Sequence, residues 1–466
     1  MGSFSTNAPS QLLNALLVTY TKNEINVSTV FNGSLFPLAV KPKTMLQCAR
    51  GMPDRFGVAA QSRQVVVDKL RAAVERASFE QVQTPLMEPS TLYNRTLGQG
   101  SDIVQKEMYT LLDRSGNSMT LRPEGTAGVV RAILSAGTQY KLPQKLWYEG
   151  CMFRYERPQR GRFREFRQFG IEMIGSEGYM ADVEAINLAN VALKNYLGIQ
   201  DTDLLINTLG SNDSRKSYQQ ALTSYYHSCL KDLSLDSQRR LERGNALRVL
   251  DSKDAKDKMI NAEAPKLVKY LSKECLKRFH AVQEALETLG ISYKVDDCLV
   301  RGLDYYSHTV FEFTESSDVA SPNAVLAGGR YSDLFQELGS RESVDCVGWA
   351  AGVDRLSSMI SRLVDEKLKI AVIPVMSDSN LQFRAFKVAS ELMMNQDNHQ
   401  WNVHYCHTLS MKKGLKQANA LGCKIGIFIG PDELQKNTAS VKLLDSREQF
   451  SVKLDDLASF LSTKVL

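Results

Sequence analysis

Residues 153–172 read "FRYERPQRGRFREFRQFGIE", and six arginines fall in the fourteen positions from Arg154 to Arg167. Phenylalanines are interleaved with them, and inside that span only Glu156 and Glu165 oppose the charge. A solvated charge run has no use for the aromatics, and a core strand cannot hold so many guanidinium groups. The flanks resolve the conflict. Residues 145–156 and 166–174 read as two antiparallel strands joined by the loop "RPQRGRFRE". A period of two puts Phe169, Ile171 and Met173 on one face of the return strand, an ordinary core face. Phe166, Gln168, Gly170 and Glu172 take the opposite face, and Arg154 and Glu156 share a face of the outgoing strand. A sheet face so polar, set around a bare glycine, is not packed on an apolar layer and leaves room for a polar ligand. In the loop, Arg157, Arg160 and Arg162 would surround a polyanion, because a planar guanidinium binds two phosphate oxygens at once. Phe166 offers a flat surface on which a purine stacks.

Working outward, the chain has 466 residues, 43% hydrophobic and 23% charged, as expected of a globular protein with roughly two to four domains. Its net charge of +5 is small, so affinity for nucleic acid has to come from local patches. Eight scattered cysteines with no C-x-x-C pair fit reduced thiols in a reducing compartment. No apolar run reaches the length of a membrane span, so no membrane partner is expected. Residues 1–44 stand apart: they are rich in Ser, Thr and Asn, contain Glu24 as their one acid and have no arginine. They read either as a mobile tail or as a targeting segment, and Gly2 with Thr6 satisfies the short myristoylation pattern.

Residues 62–77 place Val65, Val66, Leu70, Ala73, Val74 and Ala77 on one helical face. The following "FEQVQTPLMEP" is an extended segment interrupted by Pro85, an edge or interface element. Residues 108–175 are strand-rich, with a helix near 125–136. The stretch 212–290 is helical, charged and rich in lysine, which marks an inserted helical domain. Strands return at 293–313, and a helix near 350–363 closes this part. Beyond it, "KIAVIPV" (369–375), "WNVHY" (401–405) and "KIGIFIG" (424–430) are short apolar strands separated by helices, the pattern of a small parallel or mixed α/β domain.

The arginine stretch resembles motif 2 of the class II aminoacyl-tRNA synthetases, and its "ERPQ" form resembles the histidyl-tRNA synthetases. Further matches follow in family order: "MTLRPEGTAGVVRA" (119–132), "LVRGLDYYSHTVFEF" (299–313), "AGGRYSDL" (327–334) and "GWAAGVDRL" (348–356), the last resembling motif 3. The resemblance implies an α+β catalytic domain over 45–366, an antiparallel sheet flanked by helices, with 212–290 as a helical insertion. It implies an α/β anticodon-binding domain over 367–466, and a homodimer paired through motif 1. The implied activity is ATP-dependent attachment of L-histidine to tRNA(His) through a histidyl-adenylate. ATP and Mg2+ enter with the reaction, in the cytoplasm, with an additional mitochondrial pool left open by residues 1–44.

Chemistry and resemblance together assign roles. A carboxylate must attack the α-phosphorus of ATP, so positive charge has to sit where the two anions meet. Arg154 and Arg301 take that place as catalytic residues from opposite sides. For ATP, Glu156 reads the adenine amino group, Phe166 stacks under the ring, Arg355 covers it and Arg162 reaches the phosphates. The histidine pocket combines Glu124, Gly125 and Thr126 of "RPEGT" with Arg154, Gln168, Glu172 and Arg301, and Tyr305, Tyr306 and Tyr331 enclose the imidazole. Arg157 and Gln159 are expected to meet the tRNA acceptor end.

The sequence departs from the family pattern at Ser307 and His308 after "YY", and at Ser332 after "GGRY". No metal site is expected: His404, Cys406 and His407, with His399 nearby, fit no strong zinc spacing. The competing reading is a non-catalytic paralogue that senses histidine or tRNA. Such relatives tend to lose ATP-contacting arginines or the C-terminal domain, whereas Arg154, Arg301, Arg355 and a C-terminal α/β pattern are all present here.

Overall fold

The computed structural model describes residues 16–21, 24–31, 34–38, 46–98, 101–137, 140–158, 161–300, 303, 305–316, 324–360, 367–375, 379–394, 401–408 and 410–464. The chain divides into two compact units, Met1–Met359 and Ile360–Leu466.

The first unit is built on an eight-stranded sheet. Its six long strands run in the order Thr202–Thr208, Tyr306–Glu315, Ala324–Tyr331, Cys346–Gly352, Glu165–Ile174 and Gln144–Phe153, and every neighbouring pair is antiparallel. Two-residue strands, Lys294–Val295 and Glu80–Gln81, pair in parallel at the two edges. This is the α+β architecture that the motif order implies.

The arginine-rich stretch forms a hairpin within this sheet, with Phe169 opposite Glu149 and Gly170 opposite Tyr148. On one face the Phe169 ring stacks 5.3 Å from Trp147 and 6.2 Å from Trp349, and Ile171 and Met173 are buried beside it. The helices Val58–Arg76 and Val353–Met359 pack against these strands. On the other face Leu146, Tyr148 and Met152 join a cluster with Val129, Val130 and Ile133 of the helix Thr126–Ala136.

The helix Val58–Arg76 starts earlier than its pattern predicts, and its buried stripe runs through Val66, Val67, Leu70, Ala73 and Val74. Val65 and Ala77 are only half-buried, so the true stripe is rotated slightly from the predicted one. "FEQVQTPLMEP" does not form one strand: pairing stops after Gln81 and resumes at Met87–Pro89, in a separate three-stranded antiparallel sheet with Tyr109–Leu112 and Ser118–Leu121. Proline at 85 has no N–H to donate, which suits the break.

Residues 212–288 contain the helices Asn212–Ser228, Leu235–Glu242, Leu247–Leu250, Ala255–Ala262 and Lys273–Thr288. Ser211, Ser234, Asp254 and Ser272 cap four of them with side-chain oxygens. The buried Asp257 carboxylate accepts hydroxyl bonds from Ser234 (2.6 Å), Ser237 (2.6 Å) and Ser252 (2.5 Å) and so ties three turns together. Tyr218, Leu222 and Tyr226 from this segment share one apolar cluster with Tyr305, Tyr306 and Tyr331 of the sheet.

The second unit has a five-stranded mixed sheet. Trp401–Tyr405, Leu368–Pro374 and Ile425–Ile429 are parallel, and the antiparallel strands Thr438–Leu443 and Gln449–Lys453 extend it. Ile370, Val372, Ile425 and Ile427 pack with Ala385, Val388, Leu392 and Leu461 on one side. Ala371, Ile373 and Phe428 pack with Ala418 on the other. The sequence pattern anticipates the three apolar strands but not the antiparallel pair. Backbone strands Leu16–Thr21, Glu24–Phe31 and Ser34–Leu38 form an antiparallel meander within residues 1–44, read above as a tail or targeting segment.

Candidate active site

A cavity of about 760 Å³ opens over the polar face of the hairpin. One end is closed by carboxylates and phenols. Glu172 is buried, and its two oxygens accept hydroxyl bonds from Thr126 (2.7 Å) and Tyr331 (2.6 Å). Burial pushes its carboxyl up to about 8 against the pull of those two donors. Glu124 is buried beside it and accepts the backbone N–H groups of Thr126 (2.7 Å) and Ala127 (2.9 Å). It thereby caps the first turn of the helix Thr126–Ala136, although burial still holds its carboxyl above the ordinary range. The rings of Tyr305 and Tyr306 lie 4.6 Å apart, and Tyr331 stands edge-on to Tyr305 at 5.5 Å. Gln168 lines the same end, with its side-chain oxygen buried and without a partner among the described residues.

The other end is cationic. The outgoing strand ends at Phe153, three residues sooner than the alternation predicts, yet Arg154 and Glu156 still line the cavity. Arg154 donates its Nε to the Pro123 carbonyl at 2.9 Å, and its guanidinium lies 5.3 Å from the centre of the Phe166 ring. One face of Phe166 is therefore already occupied by a cation. Arg162 approaches the Glu156 carboxylate at 3.6 Å. Arg355 donates to the carbonyls of Gly161 (3.2 Å) and Ala324, and burial together with the neighbouring Arg162 lowers its affinity for a proton. Arg157 is exposed and does not line the cavity. Arg301, Gln159, Arg160 and His399 lie outside the described residues.

One inference from alternation needs correction. The bare face at Gly170 is not open space for a ligand, because the ring of Tyr148 fills it. A Cβ at Gly170 would lie 2.4 Å from the Tyr148 hydroxyl oxygen, and one at Gly125 would lie 2.1 Å from the ring. Both glycines are bare so that this ring can lie between them, and Gly125 supports the pocket rather than lining it. Reading the return strand alone misses this, since the register that sets Tyr148 opposite Gly170 belongs to the pair of strands.

Sequence reasoning also missed Asp354. Its nearly buried carboxylate receives Arg55 (2.5 Å), Arg63 (3.3 Å) and the backbone N–H of Arg167 (2.8 Å), which fixes the return strand against the helix that carries Arg355. Glu107 was missed as well. It lines the cavity, and its carboxyl is raised by burial and by Glu156 nearby.

Residues 51–356 match the family model described as histidyl-tRNA synthetase. The chain belongs to the histidyl-tRNA synthetase family. Residues 369–464 match a second model, described as an anticodon binding domain. The chain is 42% identical to the histidine–tRNA ligase of Rhodospirillum rubrum over 90% of its own length and 99% of that protein. It is 38% identical to a probable mitochondrial histidine–tRNA ligase of Dictyostelium discoideum, over 90% of this chain and 89% of that one. Among solved structures, apo histidyl-tRNA synthetase of S. aureus superposes with a TM-score of 0.70 at 29% identity, covering 89% of this chain and 99% of that one. Membership of the histidyl-tRNA synthetases makes the chain a class II ligase. It gives the sheet and the C-terminal α/β unit their family counterparts.

Proposed function

We propose that this chain joins L-histidine to tRNA(His) in two steps within the cavity described above. A carboxylate oxygen of histidine attacks the α-phosphorus of ATP, and pyrophosphate leaves. The terminal ribose hydroxyl of tRNA then attacks the carbonyl of the adenylate, and AMP leaves. The observation that carries the reading is a single cavity with carboxylates and phenols at one end and Arg154, Arg162 and Arg355 at the other.

At the first end, Glu172 accepts from the substrate imidazole while Thr126 and Tyr331 hold its oxygens in place. Glu124 faces the ammonium, and Gln168, Tyr305 and Tyr306 complete the enclosure. A pocket that hydrogen-bonds a polar side chain discriminates by about 10⁴–10⁵ against analogues lacking the partner group. At the second end Arg154 meets the α-phosphate, with Arg301 assigned to its opposite side. Glu156 and Phe166 receive the adenine, on the Phe166 face away from Arg154. Arg162 and Arg355 hold phosphates and ring. ATP brings Mg2+ as part of the substrate, and Glu107 and Glu312 on the cavity wall supply the hard oxygen ligands that this ion takes.

The acceptor end of tRNA meets Arg157 and Gln159 of the loop, and the anticodon is read by the unit beyond residue 360. Two protomers pair through the sheet that contains Met87–Pro89, where Leu86, Met87, Leu111 and Leu112 are exposed. The helix Val58–Arg76 takes no part in this pairing, since its apolar stripe is buried within the chain. Among the described residues no helix is long and apolar enough to cross a membrane. We assign the enzyme to the cytoplasm. The acid-poor residues 1–44 and a relative named mitochondrial support an additional mitochondrial pool.

Histidine-dependent exchange of pyrophosphate into ATP tests the first step. Arg154→Ala is expected to lower turnover at least 10³-fold, on the order of 4 kcal/mol of lost charge stabilisation, with a smaller change in histidine affinity. Exchange at the wild-type rate in that variant would remove Arg154 from the chemistry.

A further inference from the structure

We infer that Arg55 is a positioning residue for ATP: it sets the cavity-facing ring of Phe163 and ties the motif 2 loop to the motif 3 helix. The inference rests on the reading of the cavity as an ATP site.

Residues 50–55, "RGMPDR", lie directly behind the loop. The Gly51 carbonyl accepts the backbone N–H groups of Arg164 (2.8 Å) and Glu165 (3.4 Å), so this segment continues the hydrogen bonding of the return strand where the hairpin ladder ends. Gly51 has φ +80°, and a Cβ there would lie 2.9 Å from Arg164 Cγ and 3.0 Å from Pro158 Cγ, so the contact requires glycine. Beyond it, the Arg55 guanidinium lies 4.6 Å from the centre of the Phe163 ring. The same group donates to Asp354 Oδ1 at 2.5 Å, and the Arg55 side chain is only 15% exposed. Phe163 and Asp354 both line the cavity, and Arg355 follows Asp354 on the same helix.

A segment rich in like charges needs an anchor, because its guanidinium groups repel and ordering it costs chain entropy. Arg55 counters this at one point. Its planar face takes the ring while its N–H edge takes the carboxylate, a combination that lysine cannot reproduce. Asp354 also receives Arg63 and the Arg167 N–H, so the anchor at the far side of Arg55 is itself fixed. No side chain assigned to the histidine end belongs to this linkage, which reaches that end only through the Arg167 N–H of the return strand, so loss of Arg55 acts mainly on ATP.

Exchange kinetics on the full-length enzyme decide the matter. Arg55→Ala is expected to raise the KM for ATP about tenfold while the KM for histidine stays within about twofold. Phe163→Leu produces a similar ATP defect, and the double variant is no worse than the poorer single one. Arg55→Lys keeps a charge opposite Asp354 but loses the planar contact, and so retains most of the defect. An unchanged ATP KM in Arg55→Ala, an equal rise in both KM values, full multiplication of the two single effects, or full recovery by lysine would each overturn the inference. Should Arg55→Ala fail to fold, the Arg55→Lys and Phe163→Leu enzymes carry the same test. Absence of exchange in the unaltered enzyme would refute the functional reading instead.

Discussion

Glu172 combines two properties that normally exclude each other. It is buried, which favours the neutral acid, and it faces two hydroxyl groups at donor distance, which favours the anion. With its carboxyl raised to about 8, free enzyme at neutral pH is mostly protonated there. An imidazole N–H donates more strongly to the ionised form than to the acid, so tight histidine binding favours release of that proton. The sign follows: kcat/KM for histidine should rise with pH through neutrality, with an inflection near pH 8 and a plateau above it, beyond the titration of free histidine's own imidazole. Glu172→Gln should bind histidine weakly and lose the upper inflection; the same inflection in that variant would assign the titration to another group. Glu172 was legible from the sequence because strand alternation puts it opposite the core face. Its partners Thr126 and Tyr331 were assigned to the same pocket only through family motifs, since no local pattern links positions so far apart in the chain. Arg55 and Asp354 were not legible at all, because each is an ordinary charged residue until the fold brings them together.

At the scale of the element, the helix Thr126–Ala136 and the hairpin make the site jointly. Glu124 serves both functions: it satisfies two N–H groups that the first turn leaves without intrahelical partners, and it borders the end of the cavity proposed to take histidine. Glu124→Ala should therefore cost about 1–2 kcal/mol in denaturant unfolding as well as raising the KM for histidine. Glu124→Gln, which keeps one acceptor, should recover part of the stability but less of the binding. Unfolding that is unaffected by alanine would show that the cap contributes nothing. The long strands, the helix near 125–136 and the helical stretch 212–290 could be anticipated because their periods are uninterrupted. The change of sheet across Pro85 and the antiparallel pair Thr438–Leu443 and Gln449–Lys453 could not. The first depends on which sheet each half joins, and the second lies in short, mixed polar segments where alternation is weak.

For the whole molecule, two units with cores of their own divide the proposed labour. Removing residues 360–466 should leave histidine-dependent exchange within a few-fold of the full chain and raise the KM for tRNA(His) by about 10²-fold or more, since anticodon contacts are lost while the adenylate site is not. Equal charging by both forms would dissociate the C-terminal unit from tRNA. The exposed Leu86, Met87, Leu111 and Leu112 carry the dimer proposal. Sedimentation at micromolar concentration should show twice the 52.1 kDa chain mass, and Leu112→Asp should shift the population to the monomer. A monomer in the unaltered protein would rule the interface out.

The Tyr148 ring, held between residues 125 and 170, also constrains how this protein can change by single substitutions. No side chain can be added at either glycine while the ring is in place. Removing the ring first leaves a void beside the proposed histidine pocket, at a cost of about 3–5 kcal/mol for an aromatic reduced to alanine. Each order of steps thus begins with a loss, and the three positions constrain one another. A lineage that reshaped this floor for a larger amino acid would have to cross that valley before any benefit appeared.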